Sequence, residues 1–403
     1  MAYTFGASSE SIIHEWLFQS SASWVPPYDC RAYVTVIGPG GSGGSYKDDG
    51  DHRSYVGSGG GAGGCAKSLL TLSSSVTYTI TVGAGGASVD NADGNDGGGN
   101  SEFQGSDIDN MAGNLGSGGL GAGGANAVTT QAGGAGGAAS GGTIFNCTGG
   151  AGGSGAVPDY ADYGIHIAAG GGGAAGIFGK SHRGGNAICN TGGANKIALG
   201  GGAGVNGNGG DATSVGSNGT AGGGGGSAWG DGESITLVYP NDGNMFDNTG
   251  RIVSCDSDDY TETGLFNMHS AVAGAGAWTD QYDSSRGMAG TPASIFHGLH
   301  GSPGRKSLDS TTRFSGPGAG GSGYWAMVGT QYGWHLPGLF GGGGGITPNS
   351  EDSSYGNAHS NGAKGSYGAG GGANAGYTTS SSYAFYSGGG GQGLVVITVV
   401  EML

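Results

Sequence analysis

The sequence predicts an all-β protein. Strands from the two ends of the chain build a β-sandwich, which flanks a large glycine-rich body of packed polyproline II-like segments. Three observations carry this. Runs of β-branched and apolar residues stand at both ends, from Arg31 to Gly83 and from Gly393 to Glu401. Between them the alternation stops and glycine takes over, 102 of 403 residues against a usual ~7%. Within the tract from Gly113 to Gly226 glycine falls in blocks with a period of three, the repeat of the polyproline II helix.

The elements follow in order. His14 to Gln19 alternates Trp16 and Phe18 with polar neighbours and reads as a first strand. Ser23 to Pro27 is a short extended piece whose two prolines prevent helix and mark an edge or corner. In Arg31 to Gly38, Tyr33, Thr35 and Ile37 share one face, and Val34 and Val36 the other. Cys65 to Leu72 and Val76 to Gly83 are further strands, and the short link Ser73-Ser74-Ser75 suggests a hairpin between them. Ser234 to Tyr239 is a strand-like break in the glycine. Gly393 to Glu401 is nearly continuously apolar, so it should be central or buried on both faces.

In the body, Gly133, Gly134, Gly136 and Gly137 occupy two of three phases, as do Gly149, Gly150, Gly152 and Gly153. Two bare faces out of three let neighbouring helices approach until their backbone N–H and C=O groups pair between helices. A flexible Gly/Ser linker is the alternative. In-phase blocks with apolar spacers such as Ile165, Ile167, Ile177 and Phe178 favour the packed body, and the phase shifts read as turns between short helices. The organisation is then an N-terminal strand region over 1–100, the glycine-rich body over 101–240 and an acidic and aromatic insertion over 241–315. Glycine- and aromatic-rich loops over 316–392 follow, and a C-terminal strand over 393–403 completes the N-terminal sheet. The insertion is either a subdomain or a set of long loops.

Composition excludes several functions. Formal net charge is −16 with only 13 Lys and Arg, so no basic stripe exists to neutralise phosphates or anionic lipid. Nucleic-acid binding and membrane insertion are not expected. The chain carries 18 Tyr, 11 Phe and 6 Trp, more aromatics than a disordered polar chain holds. Cys30, Cys65, Cys147, Cys189 and Cys255 are scattered and odd in number, which reads as buried free thiols. The first ten residues lack a signal-peptide pattern, so synthesis in a cytoplasm is expected.

Motifs for chemistry are weak. Ala174 to Ser181 fits a relaxed phosphate loop, but Ile165 to Ala168 is a poor strand and Arg183-Gly184-Gly185 a poor helix. Gly40-x-Ser42-x-Gly44 lacks a strand-to-helix elbow. His297 and His300 read as turn histidines. Asp48-Asp49-Gly50-Asp51 and Asp256 to Asp259 lack the spacing of a calcium loop. No Ser/His/Asp set or carboxylate pair stands out, so no catalytic residue, metal or cofactor is expected. Exposed aromatics on polar loops offer flat, amphipathic contact area for sugars or protein surfaces. The contact candidates are Trp278, Tyr282, Tyr324, Trp325, Tyr332, Trp334, Tyr355, Tyr377, Tyr383 and Tyr386. The same rings equally suit a core that glycines cannot fill.

An ordered series of motifs resembles the glycine-rich domain family of tailed-phage fibre and receptor-binding proteins. It runs from Ser23-Trp24-Val25-Pro26 through Tyr33 to Gly38, Gly63 to Lys67, Leu69 to Leu72 and Tyr78 to Gly86. Gly99-Asn100-Ser101-Glu102-Phe103 and Gly391 to Ile397 complete it. The resemblance implies a β-sandwich flanking a glycine body and a non-enzymatic virion tail protein, a fibre tip or adhesin that contacts the host surface. Its partners would be other virion tail proteins and a host surface glycan or outer-membrane protein, with a homo-oligomer such as a trimer possible. A purely structural virion protein is the alternative, and a polysaccharide-degrading enzyme a distant third. The virion would carry the chain out of the cell without a signal peptide.

Overall fold

In the computed structural model the alternation from Arg31 to Gly38 becomes the strand Cys30–Ile37, with Ala32, Val34 and Val36 fully buried and Tyr33 facing outward. The structure describes residues 5–7, 11–48, 54–124, 129–157, 166–189, 196–215, 219–223, 225–226, 231–232, 234–238, 277–280, 287–288, 305–307, 313–314, 320, 324–327, 335–336, 340–349, 360–361, 364–377 and 384–403. Among the described residues there is no helix, and the fold is all-β.

Two antiparallel five-stranded sheets make a sandwich. The first has the order Phe145–Cys147, Cys65–Leu72, Cys30–Ile37, Leu394–Met402, Glu15–Phe18. The second has the order Ala139–Ser140, Ile108–Gly113, Ser101–Gly105, Tyr78–Thr81, Ala22–Trp24. Val34, Val36, Val395 and Ile397 from the first sheet meet Tyr78, Ile80, Phe103 and Met111 from the second. Aromatic rings line the edge: Trp16 on Trp24 at 5.3 Å, Trp24 on Tyr78 at 6.1 Å and Tyr78 stacked on Phe103 at 5.2 Å. The C-terminal strand is interior to its sheet, as its unbroken apolar run requires. The sandwich also takes strands from residues 101–147.

The expected hairpin across Ser73-Ser74-Ser75 does not form. Cys65–Leu72 belongs to the first sheet and Tyr78–Thr81 to the second, so the link crosses between sheets. Leu72 and Tyr78 are both fully buried in the shared core, which a hairpin within one sheet would not provide. Asp29 anchors the corner by accepting from the Ser74 N–H at 2.6 Å and its hydroxyl at 2.8 Å. The Ser74 N–H is the main cause holding the Asp29 carboxyl below the usual range. Tyr78 accepts from the Ser73 N–H and donates to Asp107 at 2.8 Å, while burial pushes its phenol up to about 12.

From the sandwich the chain runs into glycine segments. Residues 38–44 show their arrangement. Gly38, Gly41 and Gly44 donate to Gly64, Gly61 and Ser58. Gly40 and Gly43 donate to Gly391 and Gly388, and Ser42 and Ser45 to Asn95 and Ala92. Each third residue addresses the same neighbour, so three donor rows point to three neighbours, the geometry of packed threefold helices. Residues 58–64 repeat the pattern toward 114–120, 150–153 and 368–371. The segments are buried, and a methyl group at Gly41 would overlap the Ser117 carbonyl, one at Gly150 the His182 carbonyl. Backbone pairing thus takes the place of a side-chain core.

At their far ends the helices open into three stacked sheets rather than directly into turns. The outer sheet is Thr129–Gln131, Gly155–Val157, Ala187–Cys189, Ala212–Val215 and Ile235–Val238. The middle one is Gly121–Gly124, Ser54–Gly57, His166–Ala169, Lys196–Leu199, Gly219–Gly222, Ala277–Asp280 and Gly287–Met288. The third is Arg305–Ser307, Tyr324–Met327, Ile346–Asn349, Asn374–Tyr377 and Ser45–Asp48. Each is parallel through its centre, and Tyr55, Ile167, Ile197, Leu199, Ala373 and Ala375 pack between the middle and third layers. The weak reading of Ile165 to Ala168 is corrected here. His166–Ala169 is a central strand, fixed by Ser54–Gly57 on one side and Lys196–Leu199 on the other. Tertiary pairing overrides its low propensity.

Cys30, Cys65, Cys147 and Cys189 are buried free thiols. Burial pushes those of Cys65 and Cys189 up to about 12. Cys255 lies outside the described residues.

Candidate functional site

A helix at the surface of the bundle lacks the neighbours that would take its hydrogen bonds, and side chains replace them. In the outermost layer the N–H of Ser154 donates to Asn186 Oδ1, that of Asn186 to Asp211 Oδ1 and that of Asp211 to Ser234 Oγ. Each of these residues immediately precedes a strand of the outer sheet. Three residues earlier a second ladder runs from the Arg183 N–H to Asn208 Oδ1 and from the Asn208 N–H to Asp231 Oδ1. Arg183 also holds Asp211 through two bonds of 2.7 and 2.8 Å, a fork geometry specific to arginine. On another face Asp96 and Asp93 accept from the N–H groups of Gly118 and Gly121. These acidic and amide side chains are part of the architecture. Sequence reasoning missed them, although their signal is present in the chain: a polar residue before each of these strands and, for the last three strands, another three positions earlier.

The candidate motifs are distributed as follows. Ser42 is fully buried in the bundle and its Oγ accepts from the Asn95 N–H. The phosphate-loop-like stretch is a surface turn at Ile177 to Gly179, with Gly179 at φ 76° and Phe178 65% exposed. No helix follows it, and the next residues enter the side-chain ladder. Among the described residues no three His, Cys, Asp or Glu side chains gather as a metal would need. His297, His300, Asp49 to Asp51 and Asp256 to Asp259 lie outside them.

The aromatic contact candidates divide in three. Tyr282, Tyr332, Trp334, Tyr355 and Tyr383 lie outside the described residues. Trp278, Tyr324, Trp325 and Tyr377 stand in strands, which corrects the loops expected over 316–392 for the last three, while Trp278 belongs to the insertion read as either a subdomain or a set of long loops. Trp278 is in register with Ala221 and Met288, Tyr324 with Arg305 and Ile346, Trp325 with Lys306 and Thr347, and Tyr377 with Asp48. Parallel pairing with neighbouring segments recruits them into the middle and third sheets. Tyr386 is the one candidate whose side chain is described, and it is 40% exposed. It stands at a groove of about 500 Å³ whose walls include Gly85, Ser88, Lys364, Gly389 and Gln392. Sequence reasoning missed this groove, because its walls come from three separate stretches of chain.

The aromatic strands Ala277–Asp280, Tyr324–Met327 and Asn374–Tyr377 belong to the stacked sheets.

No curated protein sequence matches the chain. A sequence model of the glycine-rich domain family matches residues 18–239, which hold most of the sandwich strands and the first helices of the bundle. That match spans more than half of the 403 residues, and the chain belongs to the glycine-rich domain family.

Proposed function

We propose that this chain is a virion tail protein, a fibre tip or adhesin that contacts a host cell surface non-covalently. The observation that carries the reading is architectural: the bundle interior is held by backbone hydrogen bonds, and strands bearing Trp278, Tyr324, Trp325 and Tyr377 stand in the sheets that continue from it. Such a scaffold holds loops without depending on their sequence, because its interior is cemented by main-chain groups. The sequence between the strands Ile235–Val238 and Ala277–Asp280 is rich in acidic residues, and the strands Ala277–Asp280 and Tyr324–Met327 carry aromatic ones. The resemblance of the sequence to phage fibre proteins supports the same reading. The host partner is a surface glycan or outer-membrane protein, and the sandwich end faces the rest of the tail.

The experiment is binding of purified protein to host cells, with the 239–276 connection replaced by a short Gly/Ser link in a second sample. The intact protein binds and blocks infection, and the variant melts like the parent but binds at least tenfold more weakly. An intact, folded protein that neither binds nor blocks infection sinks the adhesin reading. A structural subunit that binds only virion proteins is then the surviving alternative.

A further inference from the structure

Residues 38–44 and 58–64 each use three donor rows, whereas the two helices that meet at the groove beside Tyr386 each use two and turn the third toward the groove. In residues 387–393, Gly388 and Gly391 donate to Gly372 and Ala369, and Ser387, Gly390 and Gly393 donate to Val89, Gly86 and Gly83. The third row, Gly389 and Gln392, makes no backbone hydrogen bond through its N–H groups among the described residues. In residues 83–88, Gly83 and Gly86 donate to Ser101 Oγ and the Gly40 carbonyl, and Ala84 donates to Gly98. Its third row, Gly85 and Ser88, is likewise unused among the described residues. All four residues line the same groove.

Gly389 adds an independent observation. At most glycines of the bundle a Cβ would come within 3 Å of a neighbouring backbone atom, whereas at Gly389 the nearest atoms are the Gly86 carbonyl oxygen at 3.2 Å and Ser88 N at 3.6 Å. A Cβ there would press against one carbonyl oxygen rather than drive into it, and the residue is nevertheless glycine. A bare floor is what a close-approaching occupant needs.

We propose that this groove is a vacant helix position that docks a polyproline II segment of another polypeptide, rich in proline and glycine. Two residues three apart on each wall are separated by about 9.3 Å along a polyproline II axis, the spacing at which a third such segment repeats its carbonyls. Donor rows need acceptors, and proline supplies a carbonyl with no N–H of its own to satisfy. Tyr386 at the groove gives the aromatic surface on which proline rings pack in polyproline II recognition. Among the described residues the only charged wall residue is Lys364, and no carboxylate lines the groove to accept from sugar hydroxyls. The surface lies along the side of the bundle and stands independently of the adhesin reading.

Hydrogen exchange on the full chain tests this with the hexapeptide acetyl-Pro-Pro-Gly-Pro-Pro-Gly-amide at millimolar concentration. Exchange at Gly389 and Gln392 slows at least tenfold, and exchange at Gly41 does not change. Gly389→Leu fills the floor, and Gln392→Pro deletes one donor that no bond of the described fold uses. Each variant keeps the parent's melting temperature within a few degrees and weakens the peptide effect at least tenfold. A uronic-acid tetrasaccharide of equal concentration leaves the exchange unchanged. The proposal is overturned if the peptide slows nothing, if both folded variants respond like the parent, or if the saccharide protects these sites in its place. Should one variant fail to fold, the other and the parent's site-resolved protection decide.

Discussion

At the scale of single residues, this protein makes glycine a packing residue. Gly150 donates to Ala174 and accepts from Ala62, and its missing side chain lets the His182 carbonyl lie against it. Gly150→Ala forces backbone apart and should destabilise by about 1–3 kcal/mol or more, whereas Gly389→Ala stays within about 1 kcal/mol of the parent. Thermal melting of both checks the contrast, and equal losses would contradict backbone contact as its cause. Asp29 is a residue of the other kind, a charged anchor. Its folded pKa is lowered, chiefly by the Ser74 N–H. Its stabilising contribution is therefore complete above the ordinary carboxylate pKa of about 3.9 and is lost as pH falls through the lower folded value. In Asp29→Asn the fall of Tm on the acid side becomes shallower than in the parent, and an equally steep fall would remove Ser74 from the account.

At the scale of elements, the strands of the sandwich were legible and most of the stacked sheets were not. Cys65–Leu72 and Leu394–Met402 announce themselves because side chains drive them: Val395 and Ile397 must be buried, and alternation records it. His166–Ala169 escaped notice because it is held by neighbours on both sides, and no local pattern encodes those partners. The hairpin expected at Ser73 to Ser75 failed for the same reason, since a short link serves a crossing between sheets as well as a return within one. The period of three in the glycines was readable, whereas the vacant groove depends on which helices meet and was not. Phe103 tests the sandwich directly. It is fully buried and stacked on Tyr78, so Phe103→Ala should cost about 3–5 kcal/mol in a denaturant titration. A loss below about 1 kcal/mol would mean that the core closes over the cavity.

At the scale of the whole molecule, residues 38–44 touch 388–391, and the last strand lies between two of the first. Each end completes a sheet with the other. A chain ending at residue 393 lacks the strand between Cys30–Ile37 and Glu15–Phe18 and should lose its cooperative melt. A cooperative transition retained in calorimetry would show that the glycine bundle stands alone. Contacts this distant in sequence also make for slow folding. The donor rows described for residues 38–44 have one more consequence. If one helix slides past its neighbour by three residues, every N–H again meets a carbonyl of the same kind, so the interior by itself admits several equivalent offsets. Side-chain shape cannot reject them where there are no side chains. The sandwich supplies the missing zero mark: with Val34 opposite Ile397 and Ser68, a helix leaving those strands starts from one fixed phase. The two sheets act as the index of a vernier whose scale is glycine.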